Sequence, residues 1–177
     1  MKIAISGFTG TGKTSVAKKL YEHLKDEMEI ELLAPTFKDV IESLGITLEE
    51  YERKAEEDHS IDRKFDEKIR EMFSSQGNAI LASWLAIWLV EADMKVFLHA
   101  PLEVRAQRMA EREGLSMEEA IEYIEERDAR NRKRYMEVYN IDIDKFYELA
   151  DISINTASFS IDEEVSLILK ALNHRKD

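Results

Sequence analysis

The sequence predicts an α/β fold of three layers, a central parallel sheet with helices on both faces, and three observations carry that prediction. Short apolar runs of strand length alternate with longer segments of helical periodicity, which is the signature of successive strand–helix–strand units. Only 6 glycines and 2 prolines in 177 residues leave too few turn-formers for an all-β architecture. A glycine-rich junction joins the first strand directly to the first helix.

Taken in order, Lys2–Ser6 reads as the first strand and Ser15–Leu24 as the first helix. Ile30–Ala34 reads as a second strand that Pro35 ends. Thr36 is placed to cap a helix through Leu44 that Gly45 closes, and Thr47 with Glu50 forms a capping box for a helix reaching Ala55. Another helix is expected from Ser60 to Phe73. This polar helical stretch, about 36–75, is the best candidate for a mobile insertion, although its charges fit a solvated face equally well. Ala79–Ser83 is the third strand, followed by an apolar turn and helix over Trp84–Val90; Asp93–Ala100 is the fourth, ending at Pro101. A helix from Leu102 to Arg112 leads through Gly114 to a second capping box, Ser116 with Glu119, that opens a long helix to Tyr139. The last strand is Ile152–Asn155, and Ser160 with Glu163 caps a terminal helix.

Composition excludes several function classes. The balance of 25 Lys+Arg against 37 Asp+Glu gives a net charge of −12, which repels nucleic-acid backbones and anionic membranes. Absence of cysteine removes thiol nucleophiles, thiolate zinc sites and disulfides. The four histidines have no metal-ligand spacing. The longest apolar stretch, Ala79–Val90, is too short for the roughly 20 residues of a membrane-spanning helix. With no secretory apolar region after Met1–Ser6, the expected location is cytoplasmic.

The junction itself carries chemistry. Gly7-Phe8-Thr9-Gly10-Thr11-Gly12-Lys13-Thr14 is a G-x-x-x-x-G-K-T phosphate loop set between a strand and a helix. Its glycines let successive N–H groups turn toward phosphate oxygens, and the helix that follows adds its positive end. Lys13 is placed to reach the β- and γ-phosphates of a nucleotide, and the Thr14 hydroxyl to ligate Mg²⁺. A phosphate-free glycine turn is the competing reading, which Lys13-Thr14 at these positions disfavours.

Seven arginines fall between Arg105 and Arg134. Arg108 and Arg112 share one helix face; Arg127, Arg130 and Arg134 share another. A hairpin of two such helices about Gly114, about 108–134, can fold over a triphosphate as a lid, neutralising transition-state charge and excluding water. Glu122, Glu125 and Glu126 lie within about a turn of these arginines, so a salt-bridged surface helix is the alternative.

The order of phosphate loop, helical insertion after the second strand, arginine-bearing lid and final strand ending in Asn155-Thr156 resembles the nucleoside monophosphate kinases. Leu48–Tyr51, Ile61–Arg63, Leu85-Ala86 with Trp88, Arg134-Tyr135, Tyr139–Asp142 and Asp151–Thr156 are more specifically similar to archaeal-type cytidylate kinases, over nearly the whole chain. The resemblance implies one P-loop kinase domain over 1–177, with ATP and Mg²⁺ as cofactors and a small-molecule phosphoryl acceptor. It implies that Gly7, Phe8, Thr9, Gly10, Thr11, Gly12, Lys13, Thr14 and Ser15 hold the ATP phosphates, with Lys13 the principal catalytic cation. Arg108 would lie near the adenine or ribose, Arg112 near the phosphates, and Arg127, Arg130 and Arg134 would clamp the phosphoryl groups. Asn155-Thr156-Ala157 would flank the adenine, while Lys38, Asp62 and Arg63 match acceptor-side positions. An acid such as Asp62 or Asp128 would orient the acceptor without acting as a strong base.

One segment departs from that family. Where its third strand ends in an acid, a glycine and an arginine before Leu-Ala-Gly-Trp, this chain has Ala82-Ser83-Trp84 before Leu85-Ala86-Ile87-Trp88. Lys38 also replaces a planar arginine fork with a point charge. Ser83 and Trp84 thereby become candidate acceptor-side residues. Trp84 has two readings, stacking on a base or packing in the core. Three functions follow: transfer from ATP to CMP or dCMP, the same chemistry on a different small metabolite, or a nucleotide-binding regulator of low activity. The sequence leaves open monomer or homodimer; an exposed Trp84 or Trp88 would point to a dimer.

Overall fold

The computed structural model of the chain describes residues 1–34 and 60–174, the side chains of 60–62 excepted. The helices expected over 36–44 and 47–55, and Lys38 with them, lie outside the described residues. Five strands, β1 (Lys2–Gly7), β2 (Glu31–Leu33), β3 (Ala79–Ala82), β4 (Met94–His99) and β5 (Ile152–Asn155), form one sheet in the order β2-β3-β1-β4-β5. Every pairing is parallel, with Ile5 beside Ala82 on one side and Val96 on the other. The described helices are α1 (Lys13–Leu24), α2 (Ser60–Ser75), α3 (Ala86–Leu89), α4 (Leu102–Glu113), α5 (Met117–Tyr139) and α6 (Ile161–His174).

Alternation along the strands sorts the core into two layers. Ile3 and Ile5 of β1 and Ile80 of β3 pack with Val16 and Leu20 of α1 and with Val165, Ile168 and Leu172 of α6. Ala4, Leu81 and Phe97 face the other way, onto Ile69 and Phe73 of α2, Ile87 of α3 and Tyr135 of α5. Burial on both faces is what makes the strands read as continuous apolar runs. Each fully buried Ile, Leu or Phe contributes about 1.5–3 kcal/mol. The end of the expected insertion, α2, is therefore seated in the core through Ile69 and Phe73.

The α4–α5 hairpin has a small core of its own, Ala106 and Met109 against Ala120 and Ile124. Gly114 ends α4 at φ 71°, and Ser116 and Glu119 close the capping box reciprocally at 2.8 and 3.2 Å. Ser160 and Glu163 do the same at α6. A 3-10 segment over Ile143–Glu148 was not expected from the sequence, because so short a turn has no periodicity to detect. It lays Phe146 flat on Phe97 with ring centroids 3.9 Å apart. Trp84 and Trp88 are both half-buried: Trp88 meets Phe97 edge-on and Trp84 meets Phe8. No described helix is long and apolar enough to cross a membrane.

Candidate active site

The strands deliver the glycine loop to the carboxyl edge of the sheet, beside β3 and β4, where open parallel sheets place their ligand crevice. Gly7 is still within β1, and a Cβ there would collide with the Leu98 carbonyl and stand 2.7 Å from Thr11 Oγ1. Gly10 and Gly12 take the left-handed conformation at φ 78° and 89°. Gly12 caps α1, whose first turn carries no acidic residue, an arrangement able to receive an anion at the helix N-terminus.

Two cavities meet at this loop. The first, about 490 Å³, runs from Gly10–Val16 to Arg108, Arg112, Phe159 and Glu164. The second, about 480 Å³, is bounded by Phe65, Asp66, Ser83, Trp84, Arg127, Arg134 and Tyr135. Gly10, Lys13, Thr14 and Arg112 line both, so the lysine stands where two bound molecules would touch.

Lys13 Nζ donates to the Phe8 carbonyl at 2.8 Å and lies 5.3 Å from the Trp84 ring centroid. Its pKa falls from 10.5 to about 7: burial is the largest cause, followed by repulsion from Arg127, with Asp128 opposing and Arg105 and Arg112 adding to the fall. Glu164, 2% exposed, moves the other way to about 7, because burial disfavours its charge more than Arg108 supports it.

The arginines divide by role. Arg108 is anchored to Thr156, donating to its Oγ1 at 2.9 Å and its carbonyl at 2.6 Å, which joins α4 to the Asn155-Thr156-Ala157 loop. Asn155 accepts from the Ala157 N–H at 3.1 Å and shapes that loop. Arg112 lines both cavities, and Arg127 and Arg134 line the second. Arg130 is exposed and is absent from both linings. At 100° per residue Arg134 returns to within about 20° of Arg127, whereas Arg130 lies about 60° away. Arg132 pairs with Asp144 at 2.8 Å and covers the Phe8 ring at 5.0 Å.

Arg105 points inward to a buried partner, Asp128, at 2.7 Å. Asp128 accepts the Thr9 N–H at 3.3 Å, so it faces the phosphate loop rather than an acceptor. On the acceptor side, exposed Arg63 donates to the Val138 carbonyl at 3.1 Å, at the end of α5. Its helix places Phe65, Asp66 and Ile69 in the second cavity, and Asp66 also accepts from Tyr139 Oη. The Asp62 side chain lies outside the described residues.

At the departing segment, Trp84 packs on Phe8 and Tyr135, with centroids 5.9 and 6.3 Å apart, and its ring also lines the second cavity. Ser83 Oγ is buried without a hydrogen-bond partner among the described residues. No group of three or more His, Cys, Asp or Glu among the described residues could hold a metal. An ion carried by nucleotide phosphates needs few protein ligands, and the exposed Thr14 at the shared edge of both cavities fits that mode. Sequence reasoning does not mark Phe159 or Glu164: one lies in a loop, the other in the first turn of α6 just after the capping residues.

The chain matches the cytidylate kinase-like family over residues 2–158. The chain belongs to that family. It is 38% identical over 173 residues to the cytidylate kinase of Pyrococcus horikoshii, covering 97% of this chain and 88% of that protein. Among solved structures it superposes on an uncharacterized protein of Eubacterium ventriosum with a TM-score of 0.72 at 19% identity, over 98% of both chains. It superposes on shikimate kinase of Bacteroides thetaiotaomicron at 0.64 and 16%, again over 98% of both chains. At those identities the structural likeness bears on the fold, which is the P-loop kinase fold. Membership makes this chain a nucleotide-binding kinase, a transferase that takes a small-molecule phosphate acceptor, and in general terms a user of ATP with a divalent metal.

Proposed function

We propose that the protein transfers the γ-phosphoryl group of ATP to a nucleoside monophosphate, CMP or dCMP. The observation that supports this reading best is the pair of similar-sized cavities sharing Lys13, Thr14, Gly10 and Arg112. A transferase needs two substrates in line across one phosphate position, and the shared edge is that position.

In this reading the first cavity takes ATP. The N–H groups of Gly10–Ser15 hold its phosphates, Arg108 and the Asn155–Thr156 loop flank its base, and Phe159 and Glu164 bound the far side. The Thr14 hydroxyl would help the nucleotide phosphates hold Mg²⁺, which would supply charge neutralisation there. Lys13 leaves the Phe8 carbonyl to follow the γ-phosphoryl group, and Arg112 spans both substrates. Arg127 and Arg134 clamp the acceptor phosphate, and Arg130 joins them if the hairpin turns inward. Ser83, Trp84, Asp62, Arg63 and Lys38 complete the acceptor side. No strong base is required, because positioning and charge neutralisation supply most of the rate.

Ala82-Ser83-Trp84, in place of an acid, a glycine and an arginine, favours one competing reading, the same transfer to a small metabolite other than a nucleotide. A panel of CMP, dCMP, UMP, AMP and small phosphorylated and hydroxylated metabolites, assayed by ADP release, separates the two. Turnover of CMP or dCMP well above the rest is expected. Tight ATP binding with turnover of no nucleotide would sink the proposal.

A further inference from the structure

The Arg105–Asp128 pair is buried at the root of the arginine hairpin, where it touches neither cavity, and between them its two members bond both backbone groups of one residue of the phosphate loop. Arg105 Nη1 donates to Asp128 Oδ2 at 2.7 Å and to the Thr9 carbonyl at 3.0 Å, while Thr9 N–H donates to Asp128 Oδ1 at 3.3 Å. Both backbone groups of Thr9 are thus held, one by a residue of α4 and one by a residue of α5. Arg105 Nε also donates to the Ala100 carbonyl just past β4, at 3.1 Å. The contact is close: a Cβ on Gly10 would stand 3.0 Å from both Cβ and the carbonyl oxygen of Arg105.

Stability alone is a poor account of this arrangement. Arg105 is 9% exposed and Asp128 3%, and burying two charges costs about as much as their attraction returns, so apolar residues of similar volume commonly do as well. What the pair supplies is register. Arg112 lies two turns along α4 from Arg105, and Arg127 and Arg134 flank Asp128 on α5, so both helices that carry cavity-lining cations are pinned to the loop.

We propose that Arg105 and Asp128 are positioning residues that hold the hairpin arginines in register with the phosphate loop through the backbone N–H and carbonyl of Thr9. The catalytic part of this inference rests on the kinase reading; its binding part requires only that the loop takes nucleotide phosphates.

The test uses the full chain as wild type, as Arg105→Lys and as the charge-free double variant Arg105→Met/Asp128→Leu. Melting temperature, affinity for ATP with Mg²⁺ by calorimetry, and kcat and KM with the best acceptor are measured on each. The double variant is expected to melt near wild type. Its ATP affinity is expected to fall about tenfold and its kcat about 10²-fold, as for a site misplaced by about an ångström, with acceptor KM little changed. Arg105→Lys keeps the charge but cannot reach Asp128, Thr9 and Ala100 together, and should show the same losses in milder form. A double variant that folds with wild-type ATP affinity and kcat overturns the proposal. If the double variant does not fold, Arg105→Lys decides: melting temperature lowered with affinity and kcat intact overturns it. Wild type that binds ATP without turnover defeats the kinase reading, and the affinities alone then judge the positioning role.

Discussion

Lys13 Nζ rests 5.3 Å from the centroid of the Trp84 ring while donating to the Phe8 carbonyl. A desolvated cation on an indole face gains about 2 kcal/mol, and the carbonyl takes one of its three donors. The loop lysine therefore faces an aromatic ring at this end of β3. With Trp88→Phe leaving Trp84 as the remaining indole, addition of ATP and Mg²⁺ is expected to shift the tryptophan emission as the ammonium leaves the ring. Lys13→Met should abolish that shift and lower kcat about 10²-fold or more, with the fold retained by circular dichroism.

Lys13 and Glu164 give opposite pH slopes to stability. Folding takes up a proton at Glu164 between about 4.5 and 7, so its contribution declines as pH rises through that window. Folding releases a proton from Lys13 between about 7 and 10.5, so stability gains as pH rises there. Denaturant melts at about pH 5, 7 and 9 should find Glu164→Gln flattening the acid limb relative to wild type and Lys13→Met the alkaline limb. Parallel curves for variants and wild type would refute the shifts.

The loop glycines should separate stability from binding. Gly7→Ala forces a methyl onto the Leu98 carbonyl and should cost about 3 kcal/mol. Gly12→Ala meets nothing within 4 Å and carries only the left-handed penalty of about 1–2 kcal/mol. Its methyl enters the first cavity, so ATP affinity should fall more than the melting temperature suggests.

Among the hairpin arginines, Arg127→Ala and Arg134→Ala should each lower kcat about 10²-fold, and Arg130→Ala less than about tenfold. Equal losses at all three would place Arg130 at the phosphates during turnover. Changes in melting temperature alone, at Arg127 and Arg134, would return the helix to a salt-bridged surface role.

The phosphate loop was legible because its chemistry is local: Gly7–Thr14 needs only its own glycines, lysine and threonine between a strand and a helix. Helix starts at Ser116 and Ser160 were legible for the same reason, since a capping box spans four residues. The carboxyl-edge cavities were not, because Phe65, Trp84 and Arg127 come from separate elements and meet only when the sheet is assembled. Helical spacing grouped Arg127, Arg130 and Arg134, yet a 60° offset decides which side chains reach a cavity, and that depends on how α5 is rotated against α4 and the sheet.

By itself the sequence determined the α/β class, the nucleotide-phosphate loop and the concentration of cations in an otherwise acidic chain. Tertiary structure decided how those cations are used. Arg105 and Asp128, 23 positions apart, become a buried pair on Thr9; Arg108 is drawn to Thr156; and Lys13 loses much of its affinity for a proton. Charge and periodicity are properties of a chain, whereas burial and the partner of each charge arise only when distant segments pack together.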